Sequence, residues 1–127
     1  MTPSVAIAVE DLKKAFPNAI VTIVAEDGNG GAYVLVDGIE LGAKFSPAKT
    51  WLGAQLPASL PYADVYPLFI GSDVKRADGS ALGGPLSIQN WQGRTAIQVS
   101  RRNNRMNGQQ TAVSKFVKVI DFVRSLA

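Results

Sequence analysis

A chain of 127 residues, 46% apolar and 18% charged, is long enough for one globular domain with a single core and too rich in apolar residues to stay disordered. It has no Cys and no His, which excludes disulfides, thiolate nucleophiles, the common zinc sites and any Ser-His-Asp triad within the chain. The net charge of +3 is uneven, because residues 1–100 carry seven Lys/Arg against nine Asp/Glu, whereas residues 101–127 carry six against Asp121 alone.

Thr2 is placed to cap a helix with Pro3 at its first position. Val5, Ala8, Val9, Leu12 and Phe16 share one face of that helix, with Glu10, Asp11, Lys13 and Lys14 opposite, and Pro17-Asn18 ends it. The start runs straight into Glu10-Asp11 without a basic n-region, so it does not read as a signal peptide. No apolar run is long enough to span a bilayer, and the expectation is a soluble, cytoplasmic protein.

The β-branched run over residues 19–25 reads as a strand. Asp27-Gly28-Asn29-Gly30-Gly31 is a turn, and residues 32–36 are the returning strand. Asp37-Gly38 marks a second turn into Ile39-Glu40-Leu41 and Lys44-Phe45, which predicts a meander of three antiparallel strands. Between residues 46 and 61, Pro47, Gly53, Pro57 and Pro61 break the pattern, and Trp51 and Leu52 are expected to pin an irregular segment to the core.

Leu68-Phe69-Ile70 is a short strand that Pro67 opens or that lies at an edge, since proline cannot donate to a ladder. Arg76-Ala77-Asp78-Gly79 and Gly83-Gly84-Pro85 bracket a long irregular connection, after which Trp91 and Gly93 lead into a strand over residues 95–99. Beyond Met106-Asn107-Gly108, Thr111 caps a last helix. Its predicted apolar stripe is Val113, Phe116, Val117, Ile120, Val123 and Leu126, with Lys115, Lys118 and Arg124 outside. Helices on one face of an antiparallel sheet make an α+β domain.

The stretch from Arg94 to Arg105 organises the functional reading. It starts as an apolar strand and empties into Ser100, Arg101, Arg102, Asn103, Asn104 and Arg105. Hydrogen-bonding groups at a strand end lie on the rim of a domain, where sites are commonly built. The plainer alternative is a strand end followed by a solvated basic loop. Phosphate is one possible partner of so basic an end. No RNP-type aromatic motif, zinc finger or phosphate loop accompanies it, so nucleic acid is not expected as a partner, nor is a membrane or a cofactor.

The order of elements, together with Leu60-Pro61-Tyr62, Tyr66-Pro67, Arg76-Ala77-Asp78-Gly79 and Gln98-Val99-Ser100-Arg101-Arg102-Asn103, resembles the ubiquitin-conjugating-enzyme fold and its RWD relatives. It is most similar to the prokaryotic members found beside ubiquitin-like proteins and their activating enzymes, some of which have a similar Trp/Gln-x-Ser-Arg segment. The resemblance implies an antiparallel meander sheet between an N-terminal and a C-terminal helix. It also implies a ubiquitin-like protein and its activating enzyme as partners. The conjugating enzymes carry the modifier as a thioester on a Cys, usually preceded by His-Pro-Asn, and this chain has neither Cys nor His. Counted back from the last helix, the place of that Cys falls near Gln98 to Ser100, with Thr95 and Ser100 as the nearby hydroxyls.

One expectation is therefore that Ser100 accepts an acyl group as an oxyester. Arg101 and Arg102 would favour the developing negative charge, and Asn103 or Asn104 would donate to the oxyanion. Asp73, Asp78 or a partner would supply the base. Against this stands a Ser100 that simply bonds a neighbouring backbone group. Arg101, Arg102 and Arg105 either dock an acidic face of the ubiquitin-like protein or its activating enzyme, or form a solvated rim. Tyr66 is a further partner-binding candidate, whose plainer role is to pack with its hydroxyl bonded near the turn. Two functions remain open: a Cys-less carrier of the modifier, and a non-catalytic scaffold that docks the modifier or its activating enzyme.

Overall fold

The protein is described from a computed structural model covering residues 1–83, 86–102 and 110–127. Thr2 closes the first turn of helix α1 (Pro3–Ala15), its hydroxyl accepting from the Val5 amide at 3.3 Å. Val5, Ala8, Val9 and Leu12 are buried, as their spacing requires. Among the described residues eight strands follow: β1 (Ile20–Glu26), β2 (Ala32–Glu40), β3 (Phe45–Ser46), β4 (Lys49–Leu56), β5 (Leu68–Gly71), β6 (Lys75–Arg76), β7 (Leu86–Trp91) and β8 (Arg94–Val99). Helix α2 (Ala112–Arg124) closes the chain, with Thr111 and Ser114 bonded reciprocally across its first turn.

Six strands form one sheet in the order β1-β2-β4-β5-β8-β7, every neighbouring pair antiparallel, and β3 and β6 make a separate small ribbon. Both helices pack on one face of the sheet, where Leu12 and Phe116 join Val34, Val36, Leu52 and Val99 in an aliphatic core. On the other face Trp91 stacks on Trp51 at 5.7 Å and on Phe69 at 5.6 Å between ring centroids. The indole of Trp91 lies against Gly53, where an added Cβ would come within 2.5 Å of a ring atom. The architecture is α+β with an N-terminal helix, an antiparallel sheet and a C-terminal helix, as expected.

Three elements differ from the sequence reading. Asp37-Gly38 is not a turn: β2 runs through it with a register shift between Asp37 and Ile39, and Gly38 supplies a φ of 104°. The third strand of the meander is therefore β4, inside the segment expected to be irregular, with Leu52, Ala54 and Leu56 alternating into the core. The long connection also contains β7. It is joined to β8 by a two-residue turn in which Gln92 and Gly93 both have positive φ, 50° and 78°.

Helix α2 also sits differently on the core. Its buried face is Ala112, Lys115, Phe116, Val119, Ile120 and Val123, so Lys115 is inside rather than outside, and Val117 is exposed.

Candidate functional site

Antiparallel pairing of Leu68 with Val99 sets the site. It brings the residues just before β5, including Tyr66-Pro67, beside the residues just after β8, beginning with Ser100. Pro67 precedes β5 rather than entering its ladder, so its missing donor leaves no gap there. Tyr66, Ser100 and Arg102, expected from the sequence to matter, are thereby brought together.

Gln98 Nε2 donates to Ser100 Oγ at 3.0 Å. Arg102 sets its guanidinium carbon 4.4 Å from the centroid of the Tyr66 ring. Bonding from Ser100, then from Arg102, holds the Tyr66 phenol below its ordinary value. Partial burial opposes this, and the positive charges of Arg102 and Lys115 add to it.

Lys115 supports the rim from α2. Its side chain is 3% exposed, and its ammonium bonds both carboxylate oxygens of Asp64, at 3.0 and 3.1 Å, and the Arg101 carbonyl. Gln110 Nε2 donates to the same carboxylate at 2.8 Å. The loop before β5, the end of β8 and the first turn of α2 are thus tied together by one buried ion pair.

The remaining candidates are placed as follows. Arg101 sets its guanidinium over the Phe122 ring of α2, 4.3 Å from the centroid. Arg101 and Arg102, with Lys115, Lys118, Phe122 and Ser125, line a cavity of about 540 Å³. Asn103 and Arg105, like Asn104, lie outside the described residues. Thr95 is exposed near the start of β8, away from the rim. Asp73 follows β5 and so leaves the sheet at the end opposite Ser100, and Asp78 follows β6 of the small ribbon. Asp78 is engaged there by the Ser80 hydroxyl at 2.6 Å and amide at 2.9 Å.

Sequence reasoning missed Asp64, Gln110 and Lys115. A signal existed for Lys115: Ala112, Lys115, Val119 and Val123 fall at helical spacing, but a lysine is counted outward by default. Asp64 carried no signal, since its partner lies 51 residues later. Among the described residues no cluster of three or more acidic, His or Cys side chains could hold a metal ion, and no helix is long and apolar enough to cross a membrane. Compared with protein-family models, curated proteins and solved structures, the chain finds no match.

Proposed function

We propose that this protein is a Cys-less, ubiquitin-conjugating-enzyme-like (RWD-like) domain of a bacterial ubiquitin-like conjugation pathway, acting in the cytoplasm and carrying the modifier as an oxyester on Ser100. The observation that carries the reading is the placement of Ser100 at the end of β8, where it accepts from Gln98 and where Leu68–Val99 pairing brings the Tyr66 segment alongside, with Arg102 against the Tyr66 ring. A hydroxyl attacks an acyl group near neutral pH only with a base beside it or strong electrostatic help. The cluster offers the electrostatic help, since its cations suit an acyl centre on which negative charge develops.

The test is intact mass after incubation with a ubiquitin-like protein, its activating enzyme and ATP. The expected adduct resists reducing agent, yields to hydroxylamine, maps to Ser100 and is absent from Ser100→Ala. An adduct stable to hydroxylamine would be an amide on lysine and would make this chain a target rather than a carrier. No adduct beside a charged activating enzyme would end the carrier reading.

A second reading is a non-catalytic scaffold that docks the modifier or its activating enzyme. It is favoured by the ring-backed guanidinium groups of Arg101 and Arg102 on the wall of the 540 Å³ cavity. Arginine heads already stacked on aromatic rings lose less freedom when they pair with carboxylates of a partner. Conjugation that continues with Ser100→Ala would select this reading over the first.

A further inference from the structure

Among the described residues the six-stranded sheet ends in two unpaired edges, β1 and β7, and they differ in character. On β7 the exposed residues are Ser87, Ile88, Gln89 and Asn90, a polar edge with one apolar member. On β1, residues 20–25 are Ile-Val-Thr-Ile-Val-Ala, with no charge, proline or glycine. Ile20, Ile23 and Val24 keep 70%, 40% and 39% of their surface exposed. Pairing with β2 sets Val21 and Ile23 on the face that carries the helices, and Ile20 and Thr22 on the face of Trp91. The edge is therefore apolar on both faces, beside a row of backbone N–H and C=O groups that can take another strand. Lysine and proline, which commonly guard such edges, are missing. A bulge at Val24 is the guard that remains, and it leaves residues 20–23 regular.

We propose that β1 pairs antiparallel with β1 of a second copy of this chain, about a two-fold axis at Thr22, so that the two sheets join into one. Ile20 then faces Val24 of the other copy, Val21 faces Ile23, and Thr22 faces itself.

Charge selects both the partner and the direction. The last turn of α1, which leads into β1, carries Lys13 and Lys14, and β1 ends at Glu26, all three exposed. Antiparallel pairing sets the acidic end of each strand beside the basic end of the other, whereas parallel pairing sets like beside like. The helices agree. Ser4, Ile7 and Asp11 of α1 line the cleft against α2, so helical spacing turns Glu10 and Lys13 to the opposite flank, on the side of the β1 edge. These two are ion-paired at 3.1 Å. A flank bearing one acid and one base a turn apart is complementary in sign to its own two-fold copy. Pairing of β1 with β7 would instead be head to tail, would not close, and would set polar side chains against β-branched ones. The Ser100 rim stays open in the pair, because β8 lies four strands from β1 and the two rims stand about 40 Å apart across the joined sheet.

The test is sedimentation velocity of the full chain over a wide range of concentration. The unaltered protein is expected to double in mass as concentration rises and to stop there. Thr22→Lys sets like charges opposite each other, and Ile20→Lys charges the apolar edge. Both positions are exposed, so both variants should keep the circular dichroism of the unaltered protein while staying monomeric throughout. Because the chain has no Cys, Thr22→Cys carries a single thiol. Facing residues of an antiparallel pair lie within disulfide reach, so on mild oxidation Thr22→Cys should give a covalent dimer at least about tenfold faster than Gln89→Cys on β7.

A monomer at every concentration would overturn the pairing. A dimer that persists in both lysine variants would place the interface elsewhere and overturn it equally. Growth beyond the dimer would replace the closed two-fold pair with an open, head-to-tail chain.

Discussion

Two polar clusters lie along the same end of the sheet, and they are built in opposite ways. At the β1–β2 turn, Asp27 accepts from the Asn29 and Gly31 amides at 2.8 and 2.9 Å and from Gln55 Nε2 at 2.8 Å. Bonding from Asn29, then from Gln55, holds its carboxyl below the usual range. Two of these partners lie within four residues, and the third is on β4, beside β2 in the sheet. Turn geometry accounts for the two amide bonds, and the pairing of β2 with β4 for the third. The Ser100 cluster instead gathers Asp64, Tyr66, Gln98, Arg102, Gln110 and Lys115 from stretches far apart in the chain, around a hydroxyl beside a cavity. Both clusters lower the pKa of an acidic group, so a shifted pKa alone does not separate a turn from a site. What separates them is whether the partners come from local chain geometry or converge on a group that geometry does not need.

The largest test of that difference is Asp64→Ala. It leaves the Lys115 ammonium in the interior without its carboxylate, and the expected loss is about 3 kcal/mol of unfolding free energy, read by chemical denaturation. No variant of the Asp27 carboxylate should approach this, because that group borders water. A loss under about 1 kcal/mol for Asp64→Ala would mean that Lys115 reaches solvent in the variant and that the pair does not fasten the rim.

At the turn, the demanding position is a glycine rather than the acid. A Cβ on Gly31 would lie 2.4 Å from Asp27 Oδ2 and 2.5 Å from the Leu56 carbonyl oxygen. Backbone on one side cannot yield, so Gly31→Ala should cost about 2 kcal/mol, measured the same way. An unchanged denaturation midpoint would show that the turn is looser than its hydrogen bonds imply.

Asp27 itself acts through pH. Its folded pKa is lowered, so its contribution is present above the ordinary carboxylate value of about 3.9 and is lost as pH falls through the folded value. Denaturation midpoints of the unaltered protein and Asp27→Asn should differ near neutral pH and converge in acid. Parallel curves down to low pH would remove Asp27 from the linkage.

The same contrast explains how much could be read in advance. Features with local causes were legible: the Thr2 and Thr111 caps, the stripe of α1, the strands flanking the Asp27 turn and the strand after Pro67. Features with distant causes were not. Gly53 reads as a break in residues 46–61, yet it sits mid-strand because the Trp91 indole needs the space. Lys115 reads as a solvated residue until Asp64 is placed against it. Tyr66, Ser100 and Arg102 could each be singled out from the sequence, but the β5–β8 register had to be known before they formed one cluster.

The smallest effect separates two neighbouring arginines that the sequence treats alike. Arg101 sets its guanidinium over the Phe122 ring, and Arg102 sets its own over Tyr66. Removing the first breaks a surface cation–π contact, so Arg101→Ala should cost about 0.5–1 kcal/mol and shift the pH profile of Tyr66 ionisation, read by ultraviolet absorbance, less than Arg102→Ala does. Arg102→Ala should cost a similar amount of stability but carry the Tyr66 titration upward, because it removes both a hydrogen bond and a charge from the phenol. Stability would then fail to tell the two residues apart while the pH profile does, as expected if one guanidinium braces α2 and the other tunes the group beside Ser100. Equal shifts in the two profiles would instead mean that both arginines act through the general positive field of the rim, and that the contact with Tyr66 is incidental.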